Sequence, residues 1–565
     1  MPHVVDGPPA VSVARHPAPR RPGSPAWVCA VGIPTVLVGL HGLLYGRWIV
    51  DDAAITFAYA RSVATGAGPV LQPGAEAVEG YSNPAWLALL VGGRWLGLFD
   101  RGAWLGVPDY VAFPKLLALV LVAGTFACFL AVASVLSRRP VLVTVLAGAA
   151  TAAVPSFVIW TMSGLENSLL AVAATGLAAV LVRAAVADRL LAMSTALWCG
   201  LLAALAALTR PDGLIYVGAF GLAALLLARR ADLPRAVRAT AVSLAACAVP
   251  VGVHLGWRIL TFGEYLPNTA VAKAQGLPGP AELARPAELV GYVVWPAAVL
   301  TVVCVGAALV SPWAARRGLV ALLVPLALAV AAFGILQPDW MGQLRFATPV
   351  WPLGALVGVV AAERAAPQLT HRGRAVGTAL AAAAAVLSGV VFADAARDFR
   401  EEPTAPLCLV AQNTGRAVNG YARLIDASGG SLLAPDMGGA ALISDLRLVD
   451  LIGLVDSRIA RYWAAGDMEG LRDHVFELTR PTFVTSNTAW SAETGLTADP
   501  RLAADYVEIT TSTAGVTDWV RRDALPSGGL DRLRVFAAGT VGPTDVESRR
   551  SPRASCGDRL VPSAG

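Results

Sequence analysis

"VDDAAITFAYARSVATGAGPVLQPGAEAVEGYSNPAW", residues 50–86, follows an apolar run at 26–46 and begins with the adjacent carboxylates Asp51 and Asp52 after one valine. The apolar run is close to the ~20 residues that a helix needs to cross a bilayer. The carboxylates therefore lie where the chain leaves a membrane. An aspartate here suits the N-cap of the helix that follows, and apolar walls beside it would raise its pKa toward the range of a general base. Both interpretations, capping and chemistry, stay open for the pair.

The composition is that of a polytopic membrane protein. Of 565 residues, 56% are hydrophobic and 15% are charged, with a mean hydropathy of +0.61, whereas soluble proteins carry about 25% charged residues. The net charge of +5 is spread over short loops between apolar runs. Because it forms no basic stripe, it favours a role in membrane orientation and argues against nucleic-acid binding. The seven cysteines are scattered and indicate neither a disulfide framework nor a metal site.

Long apolar runs predict about eleven membrane-spanning helices. The predicted spans are 26–46, 111–136, 141–160, 165–187, 190–209, 213–229, 239–260, 288–311, 318–336, 347–362 and 375–394. The predicted fold class is therefore an α-helical polytopic membrane protein with a soluble α/β region at its C-terminal end.

The rest of the chain divides by composition. Residues 1–25 are rich in Pro, Arg and Ala and predict a disordered cytoplasmic arm. Residues 26–394 form the predicted membrane domain, with an external loop at 47–110. Charges and short β-rich runs such as PTFVTSN, DYVEITT and RLRVFAAG return at 395–541, which predicts a soluble α/β domain. Residues 542–565 are polar and basic and predict a disordered tail.

Arginine-marked loops alternate between the predicted spans and place the N-terminus in the cytoplasm. Asp51, Asp52 and everything after residue 394 then lie outside the cell, on a multi-pass protein of the plasma membrane. The stretch at 84–99 is also apolar and would reverse this orientation if it crossed. Its central Arg94 would cost about 3 kcal/mol at the bilayer centre, so we interpret the stretch as a helix in the outer interface.

Polar side chains gather at the predicted outer ends of the spans. Tyr81, Ser82 and Asn83 could form a capped loop or one wall of a sugar-sized pocket. Glu166 lies three residues after Ser163, and this capping-box spacing is a sufficient local explanation for both.

Basic side chains lie on the same predicted face. Arg210 could bind a phosphate, pair with Asp212 or reach toward the interface. Lys273 could hold a phosphate as a point charge, although a solvated loop lysine is the ordinary explanation. The other polar residues at this level are Asn268, Asp339 and Arg345. Together these groups predict a cleft at the outer leaflet with an acidic end and a cationic end.

The stretch at 51–86 resembles the first external loop of the GT-C superfamily of membrane glycosyltransferases. It is most similar to the actinobacterial group that contains the terminal β-(1→2)-arabinofuranosyltransferases of the cell wall. Further matching stretches are SGLENSLLA at 163–171, ALTRPDG at 207–213, GEYLPNTAVAK at 263–273, PDWMGQLRFATPVWPL at 338–353 and LVDLIGLVD at 448–456. The resemblance spans nearly the whole chain.

The resemblance implies an enzyme that moves a sugar, arabinofuranose in the first place, from a polyprenyl-phosphate donor to a cell-envelope glycan by inverting displacement. Asp51 or Asp52 would be the general base. Arg210, Lys273 and Arg345 would hold the donor phosphate. The substrate pocket would include Tyr81, Ser82, Asn83, Glu166, Asn268 and Asp339. The resemblance requires no cofactor, although the acidic pair could hold a divalent cation.

Two other functions are considered beside this one, a transporter or flippase for lipid-linked sugars and a non-catalytic envelope scaffold. Transporters commonly keep ionisable residues near the bilayer midplane and contain repeats. In this chain those residues cluster at one predicted surface, and we find no internal repeat. A scaffold would tolerate the loss of both aspartates.

Overall fold

The computed structural model describes residues 25–273, 276, 278–313, 315–513, 515–550 and 556–562, with the backbone alone at 542–550. The predicted arm at 1–25 thus lies outside the described residues, apart from its last residue. The first described elements are α1 (Pro25–Gly42), α2 (Asp51–Ala64), α3 (Pro84–Trp95), β1 (Ala103–Trp104) and β2 (Val107–Pro108). The predicted external loop is therefore largely helical.

Helix α3 coincides with the helix predicted to lie in the outer interface. Its Trp95 is 68% exposed, but its Trp86 is fully buried and donates a hydrogen bond to the carbonyl oxygen of Gly164 at 3.1 Å. Trp86 is thus a core residue of the protein. The same helix keeps Arg94 beside Asp100, with 3.3 Å between guanidinium and carboxylate.

A bundle of apolar helices follows. These helices are α4 (Asp109–Leu136), α5 (Pro140–Ala153), α6 (Pro155–Thr161), α7 (Asn167–Val186), α8 (Met193–Thr209), α9 (Gly218–Leu227), α10 (Leu233–Phe262), α11 (Asn268–Lys273), α12 (Pro280–Ala284), α13 (Pro286–Tyr292), α14 (Trp295–Val310), α15 (Arg316–Ile335), α16 (Val350–Ala365) and α17 (His371–Glu401). Helix α7 is the most enclosed of the long ones, and Glu166 is its N-cap residue.

Six helices in the described part of the chain are long and apolar enough to cross a membrane. The number rises to eight if two bent pairs, α5 with α6 and α12–α13 with α14, each count as one span. The predicted count of about eleven is not confirmed. Proline is the physical reason in one case, because the predicted span at 141–160 contains Pro155, where the chain turns by 80°.

A mixed five-stranded sheet with flanking helices lies beyond α17. Its elements are α18 (Leu407–Val410), α19 (Ala417–Leu424), β3 (Ser431–Ala434), α20 (Gly438–Ile443), β4 (Arg447–Asp450), α21 (Ser457–Ala465), α22 (Met468–Asp473), β5 (Phe483–Ser486), α23 (Thr488–Thr494), α24 (Pro500–Asp505), β6 (Tyr506–Thr511), β7 (Thr517–Arg521) and α25 (Gly529–Arg550). The strand order is β4-β3-β5-β7-β6, with the first three parallel and the others antiparallel. That this α/β region is a separate soluble domain stays a prediction.

Two of the three predicted β-rich runs are strands, since PTFVTSN contains β5 and DYVEITT contains β6. The third, RLRVFAAG, lies in helix α25, so its prediction as a strand is wrong. Leu533, Ala537 and Val541 of that helix are all buried at a spacing of four residues. This spacing is that of one helical face, and it outweighs the local β propensity of Val and Phe.

The predicted disordered tail at 542–565 differs from the structure. Helix α25 continues to Arg550, and the short segment 556–562 packs against the body of the protein. Cys556 forms a disulfide with Cys408, and Leu560 is fully buried. This bond was not predictable, because the two cysteines are 148 residues apart and follow no spacing pattern.

We expect the Cys408→Ser/Cys556→Ser double variant to lose about 2–5 kcal/mol of stability, since the bond closes a long loop in the unfolded chain. Thermal unfolding of the full-length protein in detergent measures the loss, with Cys29→Ala as the control at a free cysteine. Thiol labelling under denaturing conditions gives a second readout. Five of the seven cysteines should react before reduction, and reaction of all seven would contradict the disulfide.

Candidate active site

Asp51 is buried at the start of α2 and binds the far end of the chain. Its two carboxylate oxygens accept hydrogen bonds from the backbone N–H groups of Gly438 at 2.8 Å and Gly439 at 2.7 Å. These N–H groups belong to the first turn of α20, which lacks intrahelical partners for them. The Asp51 side chain therefore caps the N-terminus of a helix nearly 400 residues away in sequence. The N-cap residue of its own helix is Val50.

The contact between α2 and α20 requires close approach. A Cβ atom on Gly438 would lie 1.9 Å from the backbone oxygen of Asp51, so only glycine fits. Ala54 and Ala58 follow Asp51 at helical spacing and are buried. One further turn along the same face, the Arg61 guanidinium donates to the carbonyl oxygen of Leu442 at 2.7 Å. This face of α2 thus packs against α20.

Asp52 lies on another face of α2, with Ile55 and Thr56, and lines a cavity of about 330 Å³ that we name the main cavity. Its carboxylate is half-buried and makes no hydrogen bond within the described residues. The residues that line the main cavity are Asp52, Ile55, Thr56, Gly80, Tyr81, Ser82, Asn83, Leu165, Glu166, Arg210, Pro211, Asp212, Leu266, Thr269, Ala270, Lys273, Leu336, Arg345, Phe346 and Leu454. The two adjacent acids thus differ in their surroundings, since Asp51 binds α20 and Asp52 faces the main cavity.

The three predicted cations all line the main cavity, but they differ in their partners. Arg210 is paired with Asp212 at 2.8 Å and with Glu166 at 3.3 Å. Arg345 is paired with Asp339 at 2.5 Å. Lys273, at the end of α11, has no ion pair among the residues described here. It is therefore a cation whose charge is available to a ligand.

The charges of the main cavity act on one another. Burial raises the pKa of Asp52, the nearby acids Asp339 and Glu166 raise it further, and the positive charges of Lys273 and Arg345 oppose them. Partial removal from water lowers the pKa of Lys273, and Arg345 adds to this, while Asp52 opposes it. The main cavity is therefore lined by one unpartnered carboxylate, that of Asp52, and one unpartnered ammonium group, that of Lys273.

Both interpretations of the stretch at 81–83 apply, since it leads into α3 with Asn83 as the N-cap residue and also forms one wall of the main cavity. Tyr81, Ser82 and Asn83 line the main cavity, and the Asn83 amide donates to the Glu166 carboxylate at 2.7 Å. This bond joins the loop before α3 to the N-terminus of α7. Glu166 is thus a shared acceptor for Asn83 and Arg210, which the capping-box interpretation did not foresee.

Three predicted site residues do not line the main cavity. Asp51 binds α20, as described above. The Asn268 amide donates to the carbonyl oxygens of Gly453 at 2.6 Å and Leu454 at 3.0 Å, so it fixes the loop after β4. Asp339 stands behind Arg345 as its ion-pair partner.

Sequence reasoning missed two acidic residues next to this site. Glu79 is almost fully buried and pairs with Arg258 and, at 3.2 Å, with His254, both on α10. The charged pair Glu79–Arg258 could have been sought, because a glutamate in so apolar a chain needs a partner. Asp436 follows β3 in the stretch APDMGG, and burial and the charge of Asp52 raise its pKa to about 6. Asp436 could have been predicted as a site residue, because it is a carboxylate at the carboxyl end of a parallel strand.

A divalent cation does not fit the donor groups present. Glu166, Asp212 and Asp339 are each paired with an arginine. Over the described ranges, no group of three His, Cys, Asp or Glu side chains could hold a metal ion. We therefore derive no step through a metal.

The apolar bundle and its cavity define a multi-pass membrane protein. No family model matches the chain, and a search of curated proteins finds no match. Among solved structures it is similar to ArnT from Cupriavidus metallidurans bound to undecaprenyl phosphate, with TM-score 0.54, 14% identity, and coverage of 87% of this chain and 97% of ArnT. It is also similar to the oligosaccharyltransferase of Archaeoglobus fulgidus, with TM-score 0.52, 12% identity, and coverage of 88% and 74%. The chain therefore has the GT-C fold, and at these identities the likeness establishes the fold alone.

The arabinofuranosyltransferase AftD from mycobacteria gives a TM-score of 0.49 at 15% identity, over 87% of this chain and 40% of AftD. That score is too low to bear on the sugar.

Proposed function

We propose that this protein transfers a sugar from a polyprenyl-phosphate donor to a cell-envelope glycan on the outer face of the membrane, with Asp52 as general base. The observation that carries the proposal is the unpartnered Asp52 carboxylate in the same cavity as the unpartnered Lys273 ammonium. A cavity with a base at one side and a cation at the other suits a hydroxyl nucleophile and a phosphate leaving group. Two proteins of similar fold are described with a polyprenyl phosphate, ArnT with undecaprenyl phosphate and the archaeal oligosaccharyltransferase with dolichol-phosphate.

The proposed reaction is an inverting displacement. Asp52 takes the proton of an acceptor hydroxyl as that oxygen attacks the anomeric carbon from the face opposite the phosphate. The bond between the anomeric carbon and the phosphate oxygen breaks, and polyprenyl phosphate leaves with both electrons. Lys273 meets the charge that develops on the phosphate, while Arg210 and Arg345, already paired with acids, line the same cavity as further hydrogen-bond donors.

The donor sugar that we propose is arabinofuranose, because the 51–86 segment resembles the arabinofuranosyltransferase group. The outer location is supported by the Cys408–Cys556 disulfide, since such bonds persist in oxidising compartments and are rare in the cytosol. It also agrees with the arginine-marked loops on the opposite side of the predicted spans.

The test is a transfer assay with purified full-length protein, polyprenyl-phosphate arabinofuranose and an arabinofuranose oligosaccharide. We expect a product one sugar longer, with the anomeric configuration opposite to that of the donor by NMR. Polyprenyl-phosphate mannose serves as the comparison donor. If sealed vesicles moved the lipid-linked sugar between leaflets while no donor bond was cleaved, the protein would be a transporter and the proposal would be wrong.

We expect Lys273→Ala to lower kcat/KM for the lipid donor about 10–100-fold, because a charged partner of the phosphate contributes about 1.5–3 kcal/mol. Lys273→Arg keeps the charge and should recover most of this loss. Arg461→Ala is the control, since Arg461 is an exposed cation paired with Glu264 away from the main cavity. A Lys273→Ala enzyme with unchanged donor kinetics would contradict the assignment.

A further inference from the structure

A second cavity, of about 80 Å³, opens in the α/β region, and we name it the sheet cavity. It lies at the carboxyl ends of two adjacent parallel strands. Pro435 and Asp436 follow directly after β3, and Asn487 follows directly after β5. A water needs about 10–15 Å³ on this scale, so the cavity has room for several waters or for much of one monosaccharide ring.

The strand order makes this position special. Strand β3 pairs in parallel with β4 on one side and with β5 on the other. The chain leaves β3 through α20 toward β4 on one side, whereas it leaves β5 through α23 and α24 toward β6 on the other side. The connections therefore diverge between β3 and β5. In open sheets with parallel strands, ligands bind outside the carboxyl ends of the strands at such a switch point.

The lining of the sheet cavity selects a neutral ligand with several hydroxyl groups. It contains carboxylates, amides and hydroxyls, and none of its lining residues is a Lys, Arg or His. Two carboxylates, Asp436 and Asp518, would repel a phosphate or another anion. A hydroxyl group can donate to a carboxylate and accept from an amide, so a saccharide matches every group present. Val410 and Val516 supply apolar contact for the C–H face of a sugar ring.

Part of this polar lining is already used and part is free. Asp518 accepts hydrogen bonds from the Thr485 hydroxyl at 2.8 Å and from the Tyr421 hydroxyl at 3.1 Å. By contrast, the side chains of Asn413 and Thr414 make no hydrogen bond in the described part of the chain. These two side chains are therefore available to a ligand, and Asp518 is held in place to receive one.

The sheet cavity adjoins the proposed chemistry. Asp436 lines it, and two residues later the N–H of Gly438 binds Asp51. The pKa of Asp436 is raised to about 6 by burial and by the charge of Asp52. Asp436 thus lines the sheet cavity and is also close enough to Asp52 to feel its charge.

We propose that the sheet cavity binds a neutral saccharide residue of the acceptor glycan. Its role in acceptor binding rests on the proposed function, but the binding itself does not. The glycan would extend from the sheet cavity to Asp52. One sugar residue would bind in the sheet cavity while another places its hydroxyl group at the Asp52 carboxylate.

The test is direct binding to the full-length protein in detergent, by saturation-transfer NMR with an arabinofuranose trisaccharide and with mannotriose. We expect Asn413→Leu/Thr414→Val, which keeps side-chain volume, to weaken saccharide binding about tenfold through the loss of two hydrogen bonds. Gln412→Leu is the matched control, because Gln412 is the adjacent amide and does not line the cavity. An unchanged melting temperature shows that each variant is folded, and Asn413→Ala is a second variant should the double variant melt early.

The results distinguish a failure of the sheet-cavity proposal from a failure of the proposed function. If neither saccharide binds the wild type, or if the double variant binds as well as Gln412→Leu, the sheet-cavity proposal is overturned whatever the enzymatic activity. If binding depends on Asn413 and Thr414 while no lipid-linked sugar is transferred, the saccharide site stands and the proposed function falls. Asp52→Asn should retain binding, since Asp52 is outside the sheet cavity.

Discussion

We expect Asp52→Asn to lower kcat for sugar transfer by about 10²–10⁴-fold, the range that a positioned general base contributes. Asparagine keeps the size of the side chain but cannot take a proton from the acceptor hydroxyl. The carboxylate makes no hydrogen bond within the described residues, so its loss breaks no internal contact and the fold should be kept. Transfer assays on variants with unchanged melting temperature measure the effect. Full activity of this variant would exclude Asp52 as the base.

The pH profile gives an independent readout of the same residue. A base must be deprotonated to act, so kcat should fall as the pH drops through the pKa of Asp52. Because burial raises that pKa, the acid limb should lie at higher pH than the value of about 3.9 for an exposed aspartate. The residual activity of Asp52→Asn should lack this limb.

We expect Asp51→Ala to destabilise the protein by about 2–5 kcal/mol, because it leaves two buried N–H groups, those of Gly438 and Gly439, without an acceptor. Thermal unfolding in detergent measures the loss. Limited proteolysis at α20 should become faster, because the first turn of this helix loses the acceptor of its N–H groups.

The control for Asp51 is Gly438→Ala, which disturbs the same contact from the other side while leaving both acids intact. It should destabilise the protein as well, because the added Cβ would meet the Asp51 backbone. In both variants, activity per folded molecule should fall far less than in Asp52→Asn. An Asp51→Ala protein with wild-type stability and a thousandfold lower kcat would reverse the two roles.

The parts of the fold that were predictable from sequence are those set by local composition. The apolar runs predicted the helices of the bundle, and the polar residues of the main cavity lie near the ends of those helices that were predicted to face outward. Eight of the predicted site residues line the main cavity, namely Asp52, Tyr81, Ser82, Asn83, Glu166, Arg210, Lys273 and Arg345. Polar groups are costly beside a bilayer unless they are paired or used, so their common level along the helices carried real information.

The parts that failed depend on partners distant in sequence. Nothing near Asp51 indicates that Gly438 and Gly439 will bind it, and nothing near Cys408 indicates Cys556. The assignment of the base between two adjacent acids needed the position of α20, which only the folded chain supplies. Likewise, the ion pair that leaves Asp339 behind Arg345 could not be distinguished by sequence from a free acid in the pocket.

The two acids at the start of α2 also restrict how the chain can change in length. Successive residues of an α-helix point about 100° apart, so Asp51 reaches α20 and Asp52 faces the main cavity only in the present register. Inserting or deleting one residue between Val50 and Ile55 would turn the Asp52 carboxylate away from the main cavity and place an alanine or a second acid there. We therefore expect point substitutions on this helix to be far better tolerated than any change in the number of residues at its first turn.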